Sequence, residues 1–319
     1  MRVVLLANPG ATRFTPRLRD RVAGLLAAEH DLELVMTKHA GQATELARAA
    51  AVGGAEVVAV LGGDGTVNEV VNGIRGAAVA LGLLGGGKAN VFTRGLGLPD
   101  DTLPATTRLL ELLRDGSRRR ISLGLAEGRC FTFGAGLGVD GAIVREVERR
   151  RRAQQFYGDH TYVAAGLKTL LVGYDRRRPH LRVHLPGGRP PLTGFFALVA
   201  NGDPYTYLRR LPFRPTPQAC WEGGLDLLLA QTMSARAITR ALGGMLSRRP
   251  RAAYAGFPVL HDQAGFCLES DVPLPFQLDG EYLGDRARVD FQSLDGALEV
   301  VAPPPVSPKA PGAGGRARR

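Results

Sequence analysis

The first 120 or so residues alternate short apolar runs with amphipathic stretches, and two of those apolar runs are followed at once by clusters of glycine. No other feature narrows the fold as much. Residues 2–7 (RVVLLA) read as a buried strand ending at Asn8-Pro9-Gly10. Residues 15–30 set Leu18, Val22, Leu25 and Leu26 at helical spacing, 32–36 alternate as a strand does, and 41–52 read as an amphipathic helix. Val57 to Leu61 is an apolar strand, followed by Gly62-Gly63-Asp64-Gly65-Thr66 and a helix over 67–74. Ala77 to Leu84 is a further buried strand with glycines at 85–87 behind it, and 104–114 is helical. Apolar strands joined by helices predict a parallel sheet covered on both faces.

Strand-like pieces then dominate, at 122–125, 130–134, 181–185, 195–200, 225–230, 265–269, 275–278, 287–291 and 298–302. Helical spacing returns only near 140–153, 160–173 and 234–247. The expected class is therefore α/β: an N-terminal α/β domain with a parallel sheet over 1–122, followed by a mainly antiparallel β-sandwich domain over 123–303. Residues 304–319 have Pro, Gly and Arg but little to bury, which predicts a disordered basic tail.

Composition excludes several classes. With 45% apolar residues in 319, the chain can build a sizeable core. Three widely spaced cysteines, Cys130, Cys220 and Cys267, cannot form a disulfide scaffold. No apolar run approaches the roughly 18–20 residues that cross a bilayer, and no signal-peptide pattern follows the first strand. A cytoplasmic protein with reduced thiols is expected. The net charge of +11 is uneven: +3 in residues 1–122 and +8 in the rest, +4 of it after Val301. Basic clusters at Arg149–Arg152, Arg176–Arg178, Arg248, Arg249 and Arg251, and Arg316, Arg318 and Arg319 suit a polyanion, or simply form a solvated face. They lack the interleaved aromatics of single-strand binders, so no nucleic-acid partner is expected.

In an open parallel sheet the glycine turns lie at the carboxyl ends of strands, where ligands bind. Bare backbone can approach a phosphate there, and a helix start adds a favourable dipole. Asp64 would repel a phosphate unless a cation or a network of donors lay between them. Neither a Walker A sequence nor a G-x-G-x-x-G after the first strand is present. Read alone, such glycines are often only tight turns; together with Asp64, Thr66, Asn68 and Asn90 they favour a nucleotide cleft.

Gly62 to Glu69 (GGDGTVNE) resembles the nucleotide signature of the diacylglycerol kinase catalytic-domain family, which includes bacterial diacylglycerol and related lipid kinases and sphingosine kinases. Four further matches follow in order: Asn8-Pro9 at the end of the first strand; Gly87-Lys88-Ala89-Asn90 with Arg94 and Leu96-Gly97-Leu98-Pro99; Gly136-Leu137-Gly138-Val139-Asp140, resembling G-x-G-x-D; and Leu278-Asp279-Gly280-Glu281, resembling a late D-G-E. The resemblance implies an ATP-dependent lipid kinase using Mg²⁺, with a nucleotide-binding first domain and a lipid-binding second one. It assigns the nucleotide to Asn8, Pro9, Gly10, Ala11 and Thr12, to Thr37, to Gly62, Gly63, Asp64, Gly65, Thr66, Val67, Asn68 and Glu69, and to Gly87, Lys88 and Asn90. Glu281, assisted by Asp279, becomes the base for the lipid hydroxyl, and Asp64 and Asp140 form a metal and substrate network. A structural Mg²⁺ site is implied at Glu222, with the carbonyls of Ala219 and Gly224. Partners implied are a lipid at a membrane surface, with peripheral contact at the inner membrane face; a homodimer is left open.

The sequence departs from the family pattern where Lys88 replaces Thr, Val91 replaces Asp and Glu222 replaces Asp. Lys88 either pairs with a phosphate or projects into solvent. On a strand, Asp279 and Glu281 would share a face with Cα atoms roughly 6.5 Å apart; alternatively Gly280 marks a tight turn. Asp140 could equally cap a helix. Phe131, Phe133, Phe195 and Phe196 could cover an acyl chain but suit a core better, and the six histidines have no metal spacing. Alternative functions are an NAD kinase-like enzyme, which shares GGDG, or a non-catalytic nucleotide- or lipid-binding relative.

Overall fold

The computed structural model describes residues 1–152, 178–208, 210–247 and 254–305. Four strands, β1 (Arg2–Ala7), β2 (Asp31–Met36), β3 (Val57–Leu61) and β4 (Ala80–Leu83), pair in parallel in the order β2-β1-β3-β4. They are joined through α1 (Pro16–Ala27), α2 (Gln42–Val52) and α3 (Asp64–Ile74). A short α4 (Val91–Gly95) and α5 (Thr102–Arg114) follow β4. All five residues of β3 are buried, as helix-covered parallel strands require. α1 starts where expected, because Thr15 Oγ1 accepts from Leu18 N at 3.1 Å and Pro16 takes the first turn. The chain passes from β1 to β2 on one side and to β3 on the other. The crevice between β1 and β3 is therefore the topological switch point, where open α/β sheets bind ligands.

The remainder is mainly antiparallel: β5 (Arg119–Ala126), β6 (Arg129–Phe131), β7 (Gly134–Leu137), α6 (Val139–Arg152), β8 (Leu181–His184), β9 (Leu192–Gly194), β10 (Phe196–Ala200), β11 (Thr206–Leu208), β12 (Leu211–Phe213), β13 (Leu225–Ala230), α7 (Ala235–Met245), β14 (Val259–Gln263), β15 (Gly265–Leu278) and β16 (Glu281–Val300). Its spine runs β14-β13-β10-β7-β15-β16. The α/β class with a parallel sheet followed by an antiparallel region is thus the observed one. Four sequence strands merge into two: 265–269 and 275–278 are parts of β15, and 287–291 and 298–302 largely parts of β16. Register shifts between Glu269 and Leu274, and between Leu294 and Leu298, interrupt the two-residue alternation and hide that continuity. β7 escaped notice because Gly134 and Gly136 weaken a strand signal. The helix expected at 160–173, His160 and most residues of the basic clusters beyond 152 lie outside the described residues.

β16 ties the two regions together. Its far end pairs in parallel with β4, Glu299 opposite Ala80 and Val300 opposite Leu81. Leu298, Val300, Val301 and Ala302 therefore pack in the same core as β1, β3 and β4, and Trp221 joins them there. The four phenylalanines are core material: Phe131, Phe133 and Phe196 are buried and Phe195 is half-buried, divided among three apolar clusters.

Candidate active site

Three loops meet at the switch point. After β1, Asn8 Oδ1 accepts from Gly10 N at 2.8 Å, shaping a turn, while Asn8 Nδ2 donates to Thr66 Oγ1 at 2.7 Å and ties that turn to the start of α3. Pro9 and Gly10 are exposed, Ala11 N donates to Asn8 O at 3.1 Å, Thr12 is exposed, and Arg13 N donates to Gly86 O at 3.0 Å. Thr37, at the end of β2, is buried and donates from its N to Ala7 O at 3.0 Å. The two glycine clusters pack on one another: Gly86 N donates to Gly62 O at 2.8 Å, and a Cβ on Gly87 would sit 2.6 Å from Gly63 Cα. Close approach of backbone to backbone thus explains most of these glycines. Gly65 is the exception: it is exposed, and a Cβ added there would have nothing within 4 Å.

Asn90 locks the second cluster. It holds a left-handed φ of 46°, accepts from Gly87 N at 2.9 Å and donates to Gly87 O at 3.1 Å and Asp100 Oδ1 at 2.8 Å. Asp100 is in turn paired with Arg13 at 3.1 Å, which closes the ring of loops. Lys88 is exposed, and Val91 is buried in the core. Asp64 opens α3, with Oδ1 3.4 Å from Phe92 N at the start of α4. Burial raises its pKa to about 7, opposed by N–H donors from residues 90–92 and reinforced by the nearby charge of Asp279. Val67 is buried beside it. Glu69 faces away: its Oε1 and Oε2 accept from Gly41 N at 2.9 Å and Ala43 N at 3.1 Å, satisfying the start of α2.

Asp279 and Gly280 form the two-residue turn between β15 and β16, where Leu278 pairs with Glu281. Both turn residues have positive φ, 47° and 79°, as a hairpin of this length with an Asp-Gly sequence demands. The turn buries Asp279 and leaves Glu281 exposed. Asp279 Oδ2 accepts from Asn68 Nδ2 at 2.8 Å, Thr132 N at 2.6 Å and Thr132 Oγ1 at 2.8 Å. Its Oδ1 accepts from Phe133 N at 3.0 Å and Gly134 N at 3.1 Å. Burial pushes its pKa up, and these backbone donors pull it back. Asn68, itself buried, bridges onward: its Oδ1 accepts from Arg129 Nε at 3.0 Å and Nη2 at 2.8 Å, and Arg129 Nη2 reaches Glu281 Oε2 at 2.6 Å. One amide side chain on α3 thereby joins the glycine-loop helix to both members of the acidic turn.

Asp140, in the first turn of α6, lies in a second network. Its Oδ2 accepts from Tyr205 Oη at 2.6 Å and Gln277 Nε2 at 2.6 Å, and Gln277 Oε1 accepts from Gly280 N at 2.8 Å. Burial raises the Asp140 pKa against those two donors. Gly136 makes room for it, since a Cβ there would stand 2.3 Å from Asp140 Oδ2. Arg129, Thr132, Tyr205 and Gln277 were not identified from sequence. Gln277 alone left a trace, two residues before Asp279 on the same strand.

The implied structural metal site fares differently. Glu222 accepts from Arg119 Nε at 2.9 Å and also from Nη2, while Arg119 Nη1 donates to Pro303 O at 3.2 Å. Ala219 is buried, and Gly224 N donates to Asp262 Oδ1 at 2.7 Å. The Arg119 guanidinium already neutralises the one side-chain ligand, so these residues do not fit a divalent cation. Nearby Asp226, fully buried, is held by His261 Nδ1 at 2.7 Å and Asp262 N at 3.0 Å.

Comparison with known proteins bears on the family and the fold. Residues 2–126 match the family model described as the diacylglycerol kinase catalytic domain. A diacylglycerol kinase from Staphylococcus carnosus is 26% identical over 95% of this chain and 94% of its own length. A relative from Chromohalobacter salexigens named YegS-like lipid kinase is 28% identical, over 92% of this chain and 91% of its own. Among solved structures, a diacylglycerol kinase from Bacillus anthracis superposes with a TM-score of 0.74 at 22% identity, covering 95% of this chain and 97% of that one. The resemblance read from the motifs is thus borne out. No helix among the described residues is long and apolar enough to cross a membrane.

Proposed function

We propose, starting from the match of residues 2–126 to the diacylglycerol kinase catalytic domain model, that this chain transfers the γ-phosphoryl group of ATP to a lipid hydroxyl, that of diacylglycerol or a related lipid alcohol. The observation that carries this reading is the bridge through Asn68, which sets the glycine-loop helix and the acidic turn beside one another. Phosphoryl transfer depends on alignment and charge neutralisation more than on covalent chemistry. The loops at 8–12 and 62–66 and the turn at 87–90 supply a backbone-lined cradle at the switch point, with Gly65 left bare toward the phosphates.

Mg²⁺ fits this site through one carboxylate. Asp279 has both oxygens occupied by protein donors and Asp140 its Oδ2, whereas Asp64 is met by the backbone N–H groups of residues 90–92, with Phe92 N at 3.4 Å. Mg²⁺ commonly takes one or two carboxylates together with substrate phosphates. When bound it would neutralise charge between the phosphates. Glu281 Oε2 is held by Arg129, which leaves Oε1 to take the proton of the acceptor hydroxyl. Asp279 acts as the anchor that fixes the turn, so the two carboxylates divide the work of base and frame.

The test is transfer of labelled phosphate from ATP to a total lipid extract, with NAD as a parallel acceptor. A labelled lipid product and no labelled NAD product are expected. Labelled NAD would favour the NAD kinase-like reading. ATP binding without any labelled product would favour a non-catalytic relative.

A further inference from the structure

The network around Asp140 leads outward along the chain. Tyr205 runs directly into β11 and β12, which among the described residues pair only with each other: Thr206 with Phe213, Tyr207 with Pro212, Leu208 with Leu211. The base of this ribbon is firmly held. Tyr205 N donates to Phe213 O at 3.1 Å, its hydroxyl binds Asp140, and the Arg94 guanidinium lies 3.4 Å from the centre of the Tyr207 ring. The tip is built differently. Its last pair is Leu208 facing Leu211, 39% and 45% exposed, and Arg210 beside them is exposed too. In sequence, two arginines, Arg209 and Arg210, stand between the leucines.

A cross-strand pair of leucines in water, set beside arginine, matches the chemistry of an anionic bilayer surface. Apolar side chains can enter the acyl boundary while guanidinium groups meet lipid phosphates. A third exposed leucine, Leu242, lies on α7 with exposed Arg236 and Arg240, and the end of that helix is tied to β12 by Arg214 N donating to Met245 O at 3.0 Å. The exposed charges Arg210, Arg236 and Arg240 are all positive, the nearby Asp203 is paired with Arg214 at 3.4 Å, and the chain as a whole carries +11, which favours an anionic bilayer.

We propose that the β11–β12 tip, through Leu208, Arg210 and Leu211, is the wedge by which the protein seats itself on an anionic lipid bilayer. The assignment rests on the lipid-kinase reading of the site and adds where the membrane must lie. Leu208 is three residues beyond Tyr205, about 10 Å along an extended strand. Tyr205 shares Asp140 with Gln277, which holds Gly280 beside Glu281. Seating the tip would bring the bilayer surface to the edge of the network that carries the proposed base.

Flotation with phosphatidylcholine vesicles, with and without phosphatidylglycerol, tests this without ATP. The protein should bind the vesicles that contain phosphatidylglycerol. Partitioning should fall about tenfold in a Leu208→Ser, Leu211→Ser double variant and by a similar factor in Arg210→Glu. A Leu211→Trp variant supplies a second readout: its emission should shift to the blue when those vesicles are added. Turnover of a water-soluble short-chain diacylglycerol should stay unchanged in these variants. Undiminished flotation of the double variant, an unshifted spectrum, or capture of a protein in place of vesicles overturns the wedge. Flotation as expected, with no turnover by any form of the protein, defeats the kinase reading and leaves the wedge standing.

Discussion

Asp279→Asn preserves the shape of the side chain and suits the left-handed backbone of the turn, since Asn tolerates positive φ. What changes is which atoms can accept. The carboxylate takes three donors on Oδ2 and two on Oδ1. An amide has one oxygen, best given to the side that holds Asn68 and Thr132. Its NH₂ then confronts the N–H groups of Phe133 and Gly134, which are buried and fixed by the backbone. Two hydrogen bonds to a charged group are lost, each worth about 1.5–3 kcal/mol, so the variant should lose about 3–6 kcal/mol. That is a large share of the roughly 5–15 kcal/mol that holds a domain folded. Urea unfolding followed by circular dichroism reads the change as a lower midpoint. Glu281→Gln, which alters an exposed ion pair, should stay within about 1 kcal/mol of the wild type. An Asp279→Asn variant as stable as wild type would refute the account of Asp279 as the charged anchor of the turn.

Further outcomes concern Asp64, two glycines and Arg119. Asp64 holds its proton more tightly folded than unfolded, so its contribution to stability is present below about pH 4 and is lost as pH rises toward about 7, a loss absent from Asp64→Asn. Because only its ionised form would meet Mg²⁺, calorimetric affinity for Mg²⁺-ATP should tighten about tenfold from pH 6 to pH 8 in the wild type, beyond any change in Asp64→Asn. Gly87→Ala forces a Cβ against Gly63 and should cost about 1–3 kcal/mol in thermal unfolding, whereas Gly65→Ala, whose Cβ meets nothing within 4 Å, should keep or slightly raise stability while weakening ATP binding if the glycine loop holds the phosphates as proposed. Arg119→Ala should lower the melting temperature, while chelating divalent ions in the absence of nucleotide should leave the wild-type melting temperature unchanged, because Arg119 neutralises Glu222. A clear fall on chelation would restore the metal at Glu222.

Much of this architecture is legible in the sequence. Fully buried strands such as Val57–Leu61 announce a parallel sheet by composition alone, and the Asn8, Gly62–Thr66 and Gly87–Asn90 segments lie together because each follows one of its strands. The Asp279-Gly280 pair left strand and turn open as alternatives; the positive φ of both residues decides for the turn. Less legible was the division of labour within each motif. Glu69 sits inside the signature yet caps α2, an interaction set by how two helices pack and not by the spacing of residues along one. Arg129 and Tyr205 carry no local signal, since their partners are 152 and 65 residues away in sequence. The metal expected at Glu222 was inferred from a short run, while the side chain that answers it, Arg119, comes from 103 residues earlier.

The central claim is that the glycine-loop helix and the late acidic turn make one phosphoryl-transfer site, with Glu281 as its base. Comparing wild type and Glu281→Gln for ATP binding and for labelled phosphate transfer to lipid measures this most directly. The account predicts ATP affinity within about twofold of wild type and turnover lower by about a hundredfold or more. Turnover near the wild-type rate, with ATP still bound, would contradict it.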